Sequence, residues 1–366
     1  MKFEEVIGQE EAKQMLTRLA DSGRVPHAML FCGPQGCGKM ALAMAFASRL
    51  LADNPLLKNW AHPDLYFSFP TIKSASMGKE HQPESDDYAR EWREMISQGP
   101  YFTLEQWMSA MHAENQQAVI TGAESDSLAR KLSMKSSQGG YKVSIIWLPE
   151  RMNQTSANKL LKLLEEPPAL TVFIMVSEEP EKLLETIRSR TQRYDFKRIA
   201  DADIEQALVQ RQGIEPDTAH RLARIAAGSW TAAAEALKAS NEQLLFFDLF
   251  TMLMRLSYGR RVKELKKWAD SVAAFGREKQ KRFLAYLSRM TRESFMYNFH
   301  IPELNYMTAD EEQFTSRFAP FINEANVVEM AETFEKATRD ISQNTNSKIV
   351  FFDIALAVTV LVRRKP

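Results

Sequence analysis

Residues Phe31–Met40 read FCGPQGCGKM; they follow the apolar run Ala28–Cys32 and lead directly into ALAMAFASRLLA over residues 41–52. A buried strand, a glycine-rich turn and a helix in that order form a phosphate cradle. Successive backbone N–H groups and the helix N-terminus face an anion, and a lysine reaches over it. Gly33, Gly38 and Lys39 occupy the fixed positions of G-x-x-x-x-G-K, with Gly36 between them. The next position calls for Ser or Thr, whose hydroxyl ligates the magnesium that bridges the outer phosphates. Met40 stands there instead, and a thioether has little affinity for so hard a cation. The loop is suited to holding phosphate and poorly suited to hydrolysing it.

The 366 residues are too many for one ordinary core and predict two or three domains. A composition that is 45% apolar and 26% charged is that of a folded chain rather than a disordered one. Forty-seven basic residues cancel forty-seven acidic ones, which argues against a protein that coats nucleic acid by bulk charge. The two cysteines, Cys32 and Cys37, lie at a strand end and inside the phosphate loop. A disulfide there would distort the loop, so two reduced thiols in a cytoplasmic protein is the expectation. The N-terminus MKFEEVIGQEEAK is no signal peptide, and IVFFDIALAVTVLV over residues 349–362 is short and broken by Asp353. A buried helix fits it better than a membrane span.

Further strands are predicted at LYFSF (65–69), KVSIIWL (142–148), TVFIMVS (171–177) and QRYDF (192–196), separated by helix-like segments such as EEAKQMLTRLADS, ESDSLARKLSMKSS and NQTSANKLLKLLEE. Strands alternating with helices imply a parallel sheet covered on both faces, with the phosphate loop at a strand's carboxyl end. From about residue 70 to 117 the pattern deteriorates into polar and aromatic residues. Two short helices carrying Trp92 and Trp107 are expected there, packed as a surface insertion rather than a catalytic lid. After Lys197 the strand signals vanish. Three short helices, the last ending at Ser240, predict a small helical domain, and everything periodic from Asn241 onward is helical with Met and Phe stripes suited to a bundle core. The expected fold is α/β plus all-α, divided into 1–197, 198–240 and 241–366.

Several stretches together resemble a family, the AAA+ clamp-loader subunits of bacterial DNA polymerase III, and most of all its delta-prime branch. They are VIGQEEAKQML, GRVPHAMLFCGPQGCGK, HPDLYF, NQTSANKLLKLLEEPP, EEPEKLLETIRSRTQRYDF and AAGSW, in matching order and spacing. The resemblance covers roughly residues 3–66 and 118–240. It implies a P-loop AAA+ domain, a small helical lid domain and a C-terminal helical collar. Active members end the second buried strand in Asp-Glu, carboxylates that hold magnesium and orient water. Trp147 and Leu148 stand at that place, followed by Pro149 and Glu150. Thr231 occupies the position of the sensor-two arginine, and Ser177 that of sensor one.

One catalytic part is intact in the resemblance: Arg190, in Ile187-Arg188-Ser189-Arg190-Thr191, matches the arginine of the family's SRC motif. In these pentamers that arginine stabilises the transition state in a neighbour's nucleotide site. The implied function is a largely non-hydrolysing stator that lends Arg190 to an adjacent ATPase during sliding-clamp loading, as a component of a DNA-directed DNA polymerase holoenzyme. Implied partners are gamma/tau-like and delta-like subunits, the sliding clamp and primer–template DNA. No cofactor is required by this reading. The degenerate nucleotide site would comprise Val6, Ile7, Gly33, Gly36, Gly38, Lys39 and Ser177, with Val6 and Ile7 flanking adenine, and ATP or ADP binding without hydrolysis stays open. The family's four-cysteine zinc module is replaced by DNPLLKNWA, so no zinc is expected. Two alternatives use the same residues: an autonomous AAA+ ATPase, a catalytic clamp-loader or helicase-loader subunit in which Glu150 and Ser177 rescue the site, and a nucleotide-binding scaffold without turnover.

Overall fold

The computed structural model describes residues 1–74, 77–114, 116–301 and 305–365. Positions 75, 76 and 115 of the 70–117 insertion, and 302–304 and 366 of the C-terminal helical stretch, lie outside the described residues. The chain divides into two compact units, Met1–Leu237 and Lys238–Pro366.

In chain order the structure carries α1 (Glu10–Ser22), β1 (Ala28–Cys32), α2 (Lys39–Leu50), β2 (Leu65–Ser68), α3 (Ala89–Gln98), α4 (Leu104–Ala110), α5 (Gly122–Ser133), β3 (Lys142–Trp147), α6 (Gln154–Glu165), β4 (Thr171–Ser177), α7 (Glu185–Arg188) and β5 (Gln192–Asp195). The strands form a five-stranded sheet in the order β2-β3-β4-β1-β5, and every pairing is parallel. The three central strands, β3, β4 and β1, are buried on both faces, as their near-continuous apolar sequences require. Along the strands Met29, Phe31, Val143, Ile145, Val172, Ile174 and Val176 enter one cluster with α1 and α2, while Ala28, Leu30, Cys32, Ile146, Phe173 and Met175 enter another with α5 and α6. That alternation is the period of two of a pleated strand.

Strand β3 ends one residue before the sequence reading put it. Leu148 turns into the left-handed region at φ 53°, ψ 58° and Pro149 opens a short 3-10 turn, so the strand cannot continue. A non-glycine residue held there costs about 1–2 kcal/mol, which Leu148 offsets by its burial and by donating its N–H to Val176 O at 2.9 Å.

The insertion is not confined to the surface. Trp92 of α3 and Trp107 of α4 are both buried in the cluster that covers the α2 face of the sheet. Trp92 stacks on Phe69 at 4.0 Å, and Trp107 Nε1 donates to Pro70 O at 2.7 Å. Its base is fastened by Glu124 of α5, whose buried carboxylate accepts from Ser68 Oγ and the Ser85 amide at 2.5 and 2.6 Å.

After β5 come α8 (Asp201–Gln212), α9 (Pro216–Ala226) and α10 (Trp230–Tyr258). Ile204, Leu208, Leu222, Ala223, Trp230 and Ala233 form a separate small core that also takes in Ile7. Where the sequence reads two helices on either side of Asn241, α10 is one. No Gly or Pro lies between Thr231 and Tyr258 to stop the first from continuing into the second.

The second unit, considered alone, is all helical, with α11 (Val262–Ala273), α12 (Arg277–Tyr297), α13 (Ala309–Phe318), α14 (Val327–Ser342) and α15 (Ser347–Leu361). Its core joins Phe250, Trp268, Phe283, Leu287, Phe334 and Phe351. Trp268 Nε1 donates to Leu249 O, and Asn326 Nδ2 donates to Phe321 O and Leu361 O, so these two buried side chains are paired. Helix α15 buries Val350, Phe351, Ile354 and Val358 in this core, and among the described residues no helix is long and apolar enough to cross a membrane.

Candidate functional site

The phosphate loop leaves the carboxyl end of β1, where Cys32 lies beside Ser177 of β4 and Asp195 of β5. A ligand at this rim of a parallel sheet would meet the loop, the end of β3 and the segment after β4. The loop has the bends its glycines allow. At Gly33 (φ 153°) a Cβ would come within 2.6 Å of Phe196 O, and at Gly36 (φ 77°) it would collide with Ser229 Oγ and Thr231 Oγ1.

Lys39 does not point at an empty cradle. It is 4% exposed, and its Nζ donates to Gly33 O and Pro34 O of its own loop, 2.7 Å each. Gln9 Nε2 donates to Cys37 O at 2.9 Å and to Lys197 O at 2.6 Å, tying the loop to the chain that leaves β5. The N-terminus of α10 closes on the same loop, with Trp230 donating its N–H to Gly36 O at 3.0 Å. Thr231 Oγ1 lies 2.9 Å from Ser229 Oγ.

The space in front of the loop is occupied by the insertion. Tyr101 lies over Gly38, a Cβ built there meeting the tyrosine ring at 3.5 Å. Its hydroxyl accepts the Ile7 N–H at 2.8 Å, and its ring faces the Trp230 indole at 6.2 Å. Burial pushes the Tyr101 phenol up to about 12. Phe102 packs edge-on against Trp147 at 5.0 Å and Trp92 at 5.4 Å. What is left between Lys39, Met40, Tyr101, Phe102, Trp147 and Glu178 is a cavity of about 20 Å³. That is room for about one water molecule.

Trp147 and Leu148, which stand where the resemblance leads one to expect a carboxylate pair, are therefore packing residues. Both are buried in the main cluster with Val6, Met40 and Phe102. Glu150, two positions on, accepts the amides of Glu178 and Glu179 through Oε1 at 2.9 and 3.1 Å. Its Oε2 and the Ser177 hydroxyl are buried without a hydrogen-bond partner among the described residues. Burial pushes the Glu178 carboxyl above its ordinary value, against the opposing pull of the Lys39 ammonium. The thiols of Cys32 and Cys37 are free and buried, and desolvation pushes Cys32 up to about 11. His62 accepts the Asp64 N–H through Nδ1 at 3.1 Å within its own turn.

Arg190 lies away from this cleft, in the turn between α7 and β5. Ile187, fully buried, anchors that turn, and the Arg190 N–H donates to Ile187 O at 3.1 Å. The guanidinium is 38% exposed; it pairs with Glu165 at the end of α6 at 2.9 Å and donates to Thr186 O at 3.0 Å. Neighbouring arginines have other partners, Arg188 with Glu181 and Arg193 with Glu181 and Asp195. The sequence singled out Arg190 and the loop glycines but missed Tyr101 and Phe102. The one signal pointing to them was the apolar pair Trp147 and Leu148 where a carboxylate pair was expected, since an apolar wall at a cleft calls for an apolar occupant.

A family model described as "DNA polymerase III, delta subunit" matches residues 8–68 and 69–200. The gamma/tau subunit of DNA polymerase III from Mycobacterium tuberculosis (strain ATCC 25618 / H37Rv) is 29% identical over 222 residues, which cover 59% of this chain and 33% of that protein. The delta′ subunit of Bacillus subtilis (strain 168) is 26% identical over 233 residues, 63% of this chain and 59% of the relative. The chain thus spans about a third of the gamma/tau relative and three-fifths of the delta′ relative. Among solved structures, a DNA polymerase III gamma subunit-related protein from Thermotoga maritima superposes with a TM-score of 0.38 at 14% identity, covering 95% of this chain and 99% of that one. The Thermotoga maritima RuvB Holliday junction branch migration motor gives 0.39 at 15% identity over 68% of this chain and 66% of its own.

Proposed function

The chain belongs to the DNA polymerase III delta-subunit family of AAA+ clamp-loader proteins, and on that premise we propose that it is the delta-prime-type stator of a clamp loader, supplying Arg190 to the nucleotide site of an adjoining ATPase subunit. The reading is supported above all by one observation: Arg190 presents a partly exposed guanidinium, held by a single surface carboxylate, on a turn anchored in the core. A surface pair of this kind is worth about 0–1 kcal/mol, so exchanging Glu165 for a phosphate on a neighbour costs little. A fixed guanidinium stabilises the charge that builds on a transferring phosphoryl group. The chain's own site has Trp147 and Leu148 where carboxylates would hold magnesium, Met40 where a hydroxyl would, and Thr231 in place of an arginine.

Partners under this reading are gamma/tau-like ATPase subunits, a delta-like subunit, the sliding clamp and primer–template DNA, the last followed through its phosphates by the assembly as a whole. An autonomous ATPase is disfavoured because Glu150, the carboxylate it would recruit, is engaged by the Glu178 and Glu179 amides. In a loader reconstituted with this subunit, Arg190→Ala should lower clamp-stimulated ATP turnover at the site it serves by about 10³-fold or more while the ring, followed by gel filtration, stays assembled. Unchanged turnover in an intact ring would overturn the reading.

A further inference from the structure

In the arrangement described, the residues of the phosphate loop do not fit a bound nucleotide, and the misfit lies in what fills the cleft rather than in the loop's sequence. A site for a ligand of nucleotide size encloses about 300–1000 Å³. Here about 20 Å³ remains in front of Lys39 and Met40, although Gly33, Gly36, Gly38 and Lys39 are all present.

We propose that the Pro100–Phe102 segment of the insertion is a built-in occupant of the nucleotide cleft, an intramolecular plug that takes the ligand's place and holds the sheet domain and the small helical core in one arrangement without nucleotide. Three sets of contacts carry it. Tyr101 covers Gly38, and its hydroxyl accepts the Ile7 amide, which fastens the segment across the front of the loop. Phe102 packs edge-on against Trp92 and Trp147, which also touch one another, so it rests on the residue that stands where the first carboxylate is expected. Lys39 Nζ gives both of its short hydrogen bonds to carbonyls of its own loop.

The plug and the altered strand end explain one another. An aspartate at position 147 would be buried against Phe102 and Trp92 without a partner, at a cost of several kcal/mol. Tryptophan there gives Phe102 an aromatic wall and an edge-to-face partner. The same segment reaches the small helical core through the Trp230 indole, while Trp230 donates its N–H to Gly36 O. The task a nucleotide would perform, bridging the loop and the α10 N-terminus, is done by this backbone hydrogen bond together with the Tyr101–Trp230 ring contact. The ligand class the plug displaces is a nucleoside diphosphate or triphosphate, whose phosphates the loop amides and Lys39 would still bind once the segment is gone. This inference deepens the stator reading without depending on Arg190: it is read from this chain's own affinity, whereas Arg190 is read from a neighbour's turnover.

The test is calorimetric titration of magnesium-free ADP into the full-length chain and into Tyr101→Gly/Phe102→Gly. The double variant should bind ADP at least about tenfold tighter than the unaltered chain, and adding Lys39→Ala should remove the gain. Micromolar ADP binding by the unaltered chain, absence of a gain in a variant whose circular dichroism is native, or a gain that survives Lys39→Ala would each overturn the plug. Should the double variant fail to fold, Tyr101→Phe decides. It keeps the ring and loses the hydroxyl, and hydrogen exchange at the Ile7 amide should then quicken about tenfold, the loss of one hydrogen bond, while the β1 and β4 amides stay protected. Unchanged exchange at Ile7 would sink the proposal.

Discussion

The nucleotide cleft and the arginine edge sit on the same α/β unit and are held in opposite ways. At the cleft, contacts are internal and dense: Lys39 is bonded to its own loop, and Tyr101, Phe102, Trp92 and Trp147 interlock around it. At the edge, Arg190 has one carboxylate and one carbonyl, both near solvent. Removing any piece of the cleft leaves a void or an unpaired polar group, whereas the Arg190 pair exchanges with water at little cost. A site closed in this way is fixed, and one left this loosely tied is free to take a partner from outside the chain.

The sharpest way to break that contrast is Trp147→Asp, which restores the carboxylate of an active strand end. If the cleft is a sealed aromatic cluster, the new charge is buried against Phe102 and Trp92, and the protein should lose about 3–5 kcal/mol. Urea unfolding measures it. A loss below about 1 kcal/mol would mean that the cleft opens readily to water. Arg190→Ala should scarcely move the same midpoint, because the pair it loses with Glu165 is exposed.

The outcome also shows what could be read from the chain unaided. Strands β3 and β4 were legible because KVSIIW and TVFIMVS are unbroken apolar runs with β-branched residues, and only a parallel sheet buried on both faces uses such runs. The phosphate loop was legible because glycine at fixed spacing has few other uses. The motif singles out Arg190 but not its tie to Glu165, which is made across the fold from the end of α6. Tyr101 was signalled only indirectly, by the apolar pair Trp147 and Leu148. It meets Ile7 across 94 positions of sequence, from a segment whose polar composition carries neither helical nor strand period. The continuity of α10 was missed because Ser240 and Asn241 suggest a boundary, yet neither residue forbids a helix.

A smaller effect should come from Glu178, the carboxyl under the plug. Burial holds its folded pKa above the ordinary 4.5, and the Lys39 ammonium offsets only part of this. A raised carboxyl pKa means that the folded state binds the proton more tightly than the unfolded chain does. Its contribution to stability is complete below about pH 4.5 and is lost as the pH rises through the folded value. Glu178→Gln should therefore raise the melting temperature at pH 7, with the gain disappearing below the ordinary carboxyl range. Repeating the comparison in Tyr101→Gly/Phe102→Gly, where water reaches residue 178, should abolish the gain. A gain that persists there would place the cause of the shift outside the plug.

The smallest expected change is at the other pole. Glu165→Ala deletes the in-chain partner of Arg190, and for a pair with side chains 38% and 49% exposed the loss in stability should be no more than about 0.5 kcal/mol. Its value lies in the assembled loader. If Glu165 only parks the guanidinium while no neighbour is bound, removing it frees Arg190 for transfer, and clamp-stimulated turnover should be unchanged or modestly raised. If Glu165 instead aims the guanidinium, turnover should fall in step with that of Arg190→Ala, and Glu165→Gln, which keeps a hydrogen-bond acceptor at the same place, should recover part of it. The first result would make the arginine edge as loosely tied as its exposure implies. The second would show that it, too, is preorganised, with the difference from the cleft being one of solvent access alone.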